Sequence, residues 1–256
     1  MIKREDILSI EKLLNNKKIV NCKLLSNSFG INCIKFLTND KKNYIAKYYI
    51  EQNSDFNAIK SETQNLMFLN DLNLNFFPSI FSNDNKFIII SYFDNNELQP
   101  NETRKDLLHA ITTLHSIKSD NYGFNFETQI GGLKQKNNMS DNWVNFYREY
   151  RLGYIFDLIN TKNIMDKSIN NKIEMLLKNL ENYIPKRPNA SLLHGDLWAG
   201  NILFNDCKFV GFIDPGSFYG HSELEIAYLR WFNHAFIDKN FLSKYNNIIN
   251  IGEEYL

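Results

Sequence analysis

Apolar residues along the chain change period twice, and the changes mark out its elements. Ile7, Ile10, Leu13 and Leu14 recur at helical spacing, so an amphipathic helix opens the sequence. Three strand-like runs follow, at about 19–25, 31–38 and 43–50, joined by a break at Ser26 to Gly30 and by a polar turn from Thr38 to Asn43. Over about 55–71 the period becomes helical again, with Ile59, Glu62, Leu66 and Leu69 on one stripe. Beyond Pro78, Phe87 to Phe93 reads as a buried strand running into polar Asp94, Asn95 and Asn96.

From about 101 the pattern is mainly helical. Asn101 is a candidate cap for a helix bearing Leu107, Ile111 and Leu114; His109 and His115 on it read as packing or surface residues. Residues 119–142 form a long irregular connection. Ser140 then caps a helix whose aromatic stripe, Trp143, Phe146, Tyr147, Tyr150 and Tyr154, reads as core. Ile169, Ile173, Leu176 and Leu180 mark a helix over about 166–184, and Ser222-x-x-Glu225 is a capping box opening another. A small antiparallel sheet with a helix, followed by a mainly helical part, predicts an α+β fold of two lobes, 1–93 and 94–256.

Charge and cysteine content narrow the partners. Lys+Arg and Asp+Glu each total 29 in 256 residues, which disfavours a nucleic-acid partner. Cys22, Cys33 and Cys207 form no CxxC pair, as expected in a reducing compartment. The N-terminus lacks a signal-like apolar core, and no apolar run approaches the roughly 20 residues that span a bilayer. The expectation is a cytoplasmic protein with no membrane partner.

The chemistry concentrates in Leu192 to Asn201 (LLHGDLWAGN) and in the run that ends at Asp214. H-x-D-x-x-x-x-N, then an Asp closing the next apolar run, is the order by which protein kinases place a base and two magnesium ligands. Asp196 is positioned to take a hydroxyl proton; Asn201 and Asp214 offer hard oxygen atoms to Mg²⁺. Any one of the three alone would read as a turn residue; the ordered set points to phosphoryl transfer from ATP.

Upstream residues complete that picture. Lys47 alternates with Ile45 and Tyr49 on one strand face, and Glu62 on an apolar helix stripe calls for a cation. They read as a strand-lysine/helix-glutamate pair holding nucleotide phosphates, or as a snorkelling lysine and an edge glutamate. Gly30 lies where such enzymes cover the phosphates, although there is no GxGxxG and an ordinary β-turn fits as well. The backbone of Ser91, Tyr92 and Phe93 lies at the expected adenine hinge. No Walker-type loop occurs. His221 and Glu223, near Asp214 in sequence, would line an acceptor pocket or fix a turn.

LLHGDLWAGN, IDPGSFYGHSELEIA (Ile213 to Ala227) and YGFNFETQIGGLKQKNNMSDNWVNFYREYRL (Tyr122 to Leu152) together resemble the fructosamine kinase (ketosamine-3-kinase) family, of aminoglycoside-phosphotransferase-like, protein-kinase-like fold. Gln135, Asn137, Trp143, Phe146, Arg151 and Leu152 fall on elements of the family's insert. The resemblance implies a base at Asp196, magnesium at Asn201 and Asp214, nucleotide at Lys47, Glu62 and the hinge, and a sugar pocket at Trp198 and His221. It implies ATP-dependent phosphorylation of the 3-hydroxyl of fructosamines or ribulosamines, which amounts to deglycation repair. Four positions depart from the family pattern: Ser28 and Phe29 replace paired glycines, Ser91 a glutamate and Met139 a tryptophan. Further closing helices are expected beyond Leu256, so the C-terminal lobe reads as short or truncated. Two other readings stay open: a different hydroxyl acceptor, aminoglycoside- or choline-like, and a non-catalytic nucleotide-binding relative.

Overall fold

A computed structural model describes residues 2–51, 55–96, 98–231 and 233–252. The N-terminal lobe is a five-stranded antiparallel sheet, built from β1 (Ile19–Ser28), β2 (Ile31–Thr38), β3 (Asn43–Tyr49), β4 (Ile80–Asn83) and β5 (Phe87–Ser91) in the order β1-β2-β3-β5-β4. Strand alternation assigns its two faces. Ile34, Phe36, Tyr44, Ala46 and Tyr48 cluster with Ile10 and Leu14, the latter just past helix α1 (Arg4–Leu13). One residue out of phase, Cys33 and Lys47 pair across β2 and β3. A one-residue slip would exchange Lys47 for Ala46 and bury a cation beneath α1, so the apolar pattern itself fixes the lysine's side. Helix α2 (Ala58–Asp71) contributes Ile59, Leu66 and Leu69 to the main core; Asn57 caps it, its Oδ1 accepting from Lys60 N at 2.9 Å.

The C-terminal lobe opens with α3 (Lys105–Ser116), which leads into the two-residue strand β6 (Lys118–Ser119). The connection expected to be irregular contains a hairpin, β7 (Thr128–Ile130) and β8 (Leu133–Gln135), turned by Gly131 and Gly132, both at positive φ. Helices α4 (Trp143–Tyr147) and α5 (Gly153–Lys162) run on through a wider π-type turn at Arg148–Leu152, and α6 (Lys167–Lys178) follows. Strand β9 (Ala190–Leu193) lies between β6 and β12 (Phe218–His221); β10 (Ile202–Asn205) and β11 (Lys208–Phe212) form a separate hairpin. Helices α7 (Ser222–Arg230) and α8 (Lys239–Asn246) follow. Leu107, Ile111, Leu114, Leu192, Phe212, Phe218, Ile226 and Phe241 share its core with α2, so the two lobes are packed together.

Helix starts differ from the sequence expectation. Helix α3 begins after Arg104, three residues past Asn101. Asn142, not Ser140, caps α4, its Oδ1 accepting from Asn145 N at 3.0 Å, while the Ser140 hydroxyl donates to Asn142 O. The helix expected over 166–184 ends at Lys178 and leaves Ile169 and Leu176 exposed. Only at α4 did a neighbouring residue of similar chemistry, Asn142, meet the free backbone N–H; no side chain caps α3.

Candidate active site

The first apolar run of the motif is β9, buried along its whole length. It delivers His194, Gly195 and Asp196 to the cleft beneath the N-terminal sheet. Gly195 has φ +87°, and a methyl group there would fall 2.1 Å from Gly216 O, so only glycine fits. The His194 ring ties the two halves of the motif together: its Nε2 donates to Ile213 O at 2.9 Å, and its Nδ1 accepts from Asp196 N at 3.2 Å. Burial depresses the His194 pKa, consistent with that neutral tautomer. Gly216 N donates to His194 O and Ile213 N donates to Asn201 O. Asp196, Asn201 and Asp214 are therefore held by direct bonds between their loops.

Both carboxylate oxygens of Asp196 are engaged. Tyr228 Oη donates to Oδ1 at 3.3 Å, and Asn201 Nδ2 donates to Oδ2 at 3.3 Å and to the Asp196 carbonyl at 2.8 Å. Burial pushes the Asp196 carboxyl up to about 6; the bonds from Tyr228 and Asn201 oppose this, and the charge of Asp214 adds to it. At neutral pH the group is ionised and weakly basic, as a proton acceptor requires.

Lys47 joins the lobes. Its Nζ donates to Glu62 Oε1 at 2.5 Å and to Asp214 Oδ1. Burial alone would depress the ammonium, but Asp214 and Glu62 on either side outweigh it and hold the pKa well above the usual lysine range. Burial pushes the Glu62 carboxyl up against the pull of Lys47. A lysine between two carboxylates stays charged, so we read the pair as ionised. The snorkelling alternative is excluded, since only 11% of the Lys47 side chain is exposed. Asp214 has φ +58°, a left-handed conformation that aspartate tolerates, and its side chain is 44% exposed at the cleft. Beside Lys47, burial raises the Cys33 thiol to about 11, which keeps it protonated and makes it a small roof residue rather than a reactive one.

The remaining expected residues separate. Gly30, at φ +74°, lies in the tip of the β1–β2 hairpin. Ser91 N already donates to Ser79 O at 2.9 Å, so of the three expected hinge residues it is the one whose N–H is engaged within the fold. Trp198, 40% exposed, lies against Gly200 two residues beyond Asp196. His221 is not brought to the cleft. It pairs with Ala190 at the far end of β9, three rungs or roughly 10 Å from the Phe218–Leu193 pair that adjoins His194. There it faces Glu223 (3.9 Å) and the edge of Trp143, and burial depresses its pKa.

The residue that sequence reasoning misassigned is Glu225. It forms no capping box: His221 precedes the first turn of α7, and the Glu225 carboxylate is buried. It accepts from Gly195 N at 2.7 Å and from His194 N at 3.0 Å, and His115 Nε2 lies 2.8 Å away. His115 Nδ1 is 2.7 Å from Tyr245 Oη on α8. The hydrogen bonds from His115 and Gly195 overcome burial and hold the Glu225 carboxyl below its usual range. The signal was present: Ser222, Glu225, Ile226 and Leu229 form one buried stripe, as Ile59, Glu62, Leu66 and Leu69 do on α2.

Sequence comparison decides which phosphotransferase arrangement this is. The profile of the fructosamine kinase family matches residues 10–256. The chain belongs to the fructosamine kinase family. A Pasteurella multocida relative, designated a probable ketoamine kinase, is 26% identical over 202 residues, which cover 77% of this chain and 68% of that protein. The Arabidopsis thaliana chloroplastic protein-ribulosamine 3-kinase is 32% identical over 147 residues, 55% of this chain and 43% of the relative. The matched stretch thus spans between under half and about two thirds of these curated relatives. A Thermobifida fusca crystal structure assigned to fructosamine-3-kinase superposes with a TM-score of 0.83 at 19% identity, covering 97% of this chain and 85% of that one, which places the fold.

The donor set at the fructosamine kinase cleft suits magnesium. The amide nitrogen of Asn201 is engaged by Asp196, so its oxygen is the atom left for a cation, and Asp214 adds a carboxylate. Among the described residues no group of three or more His, Cys, Asp or Glu could hold a metal ion. Two hard oxygen donors match Mg²⁺, which fills the rest of its shell with phosphate and water oxygens.

Proposed function

We propose that the chain is an ATP-dependent ketoamine kinase that phosphorylates a sugar hydroxyl of ribulosamines or fructosamines, and so acts in deglycation. The single observation that carries this is the Lys47 ammonium clasped between Glu62 and Asp214, above an Asp196 tied to Asn201. Asp196 takes the proton of the acceptor hydroxyl as that oxygen bonds to the γ-phosphorus and the bond to the bridging oxygen breaks, releasing ADP. Lys47 neutralises charge on the phosphates, and Asn201 and Asp214 would hold Mg²⁺, which supplies further charge neutralisation. Tyr92 and Phe93 offer hinge backbone to adenine, and Trp198 flanks the acceptor side. We divide the lobes at 93/94, where β5 has ended and the polar connection begins. The sparse, unpaired cysteines fit a cytoplasmic location; no helix among the described residues is long and apolar enough to cross a membrane.

ADP release with synthetic ribulose-lysine and fructose-lysine tests the reading. We expect turnover on these acceptors above that on choline or an aminoglycoside. Equal indifference to both ketoamines would transfer the chemistry to another hydroxyl acceptor. Mg-ATP binding without turnover on any acceptor would favour the non-catalytic reading.

A further inference from the structure

The β1–β2 hairpin lacks the paired glycines expected at its tip, and the structure shows what stands in their place. Phe29 has φ +52°, a conformation that bulky residues rarely adopt, and is 63% exposed. Its ring lies on the Gly131–Gly132 turn of the β7–β8 hairpin. A methyl group at Gly132 would fall 2.8 Å from Phe29 Cγ and 2.9 Å from its Cβ; one at Gly131 would fall 3.8 Å from Cε2. Any side chain at Gly132 would therefore displace the ring.

The β7–β8 segment is itself anchored to the catalytic parts. Ser61 Oγ on α2 donates to Glu127 O at 3.0 Å, one residue from Glu62. Gln129 O approaches Gly216 so closely that a methyl group there would lie 2.0 Å away, two residues from Asp214. One short strap thus touches the hairpin tip, the helix that carries the partner of Lys47, and the turn after the second carboxylate.

We propose that Phe29 is a nucleotide-positioning residue: seated on the Gly131–Gly132 turn, it fixes the height of the β1–β2 hairpin over the triphosphate. This rests on the kinase reading above. An exposed ring on an unstrapped hairpin would leave the tip free to swing, and every productive nucleotide complex would first have to order it. The contact makes that ordering part of the folded state, through a strap that also references α2 and Asp214.

Calorimetric affinity for Mg-ADP, with steady-state KM values for ATP and ketoamine, tests it. Phe29→Ala removes the ring but not the positive φ. It should weaken Mg-ADP and raise the KM for ATP by about fivefold or more, with ketoamine KM and the ligand-free melting temperature unchanged. Phe29→Tyr should behave as the native chain. Gly132→Ala, which displaces the ring from the other side, should act in the same direction. Native affinity in Phe29→Ala, or a loss in Phe29→Tyr as large as in Phe29→Ala, would overturn the assignment while leaving the kinase reading intact. A native chain that binds no Mg-ADP overturns both.

Discussion

The catalytic loop and the nucleotide hairpin face each other across the cleft, yet they are held by opposite means. The loop follows a buried strand, and its backbone N–H groups are bound by a buried carboxylate on α7 that is itself bound by α3 and, through it, α8. The hairpin's first strand is largely exposed, and Phe29 at its tip rests on the Gly131–Gly132 turn. In the proposed kinase, the groups that would hold a proton acceptor and a cation in fixed geometry are built into the core; the cover that would admit and release a nucleotide is not.

Breaking the loop's chemistry should have the largest effect. Asp196→Asn should reduce ketoamine-dependent ADP release at least ~100-fold while Mg-ADP still raises the melting temperature; undiminished turnover would refute the role of Asp196. Next comes its support. Glu225→Gln keeps the volume but removes the charge that accepts from His194 N and Gly195 N, and should destabilise the chain by about 2 kcal/mol in urea denaturation. Turnover should fall further than that loss of folded protein explains.

The same carboxylate sets a pH limit. Its pKa is lower in the folded chain than the ordinary 4.5. The unfolded chain therefore takes up the proton first as pH falls. The stabilisation from Glu225 is complete above pH 4.5 and is lost as pH drops through the lower native value. Thermal melts of native and Glu225→Gln protein from pH 7 to 3 should converge at the acid end; parallel curves would contradict the assignment. Last and smallest, His221→Ala should change ketoamine KM by less than about twofold, because the side chain is remote from Asp196. A large rise there would return His221 to the acceptor pocket.

Residues that carry chemistry were legible where their types conflict with their surroundings. Lys47 on an inward strand face and Glu62 on an apolar stripe each needed a partner, and the fold joins them. Asp196, Asn201 and Asp214 were legible because their order along the chain has few other uses. Nearness of His221 to Asp214 in sequence is not nearness in space: antiparallel pairing carries the chain back along β9 to Ala190. Glu225 misled because a local pattern, S-x-x-E, satisfies a capping rule equally well, and only tertiary packing reveals that His194 and Gly195 claim the carboxylate. The β7–β8 strap escaped because its strands are three residues each, too short for a period to show.

The Tyr245–His115–Glu225 relay gives α8 a reach beyond its own surface. Two side chains separate a phenol on that helix from the peptide groups that aim the proton acceptor. Damage at α8 would therefore register first as misaligned chemistry in a chain that still looks folded, and an assay of turnover would notice it before a spectrum did.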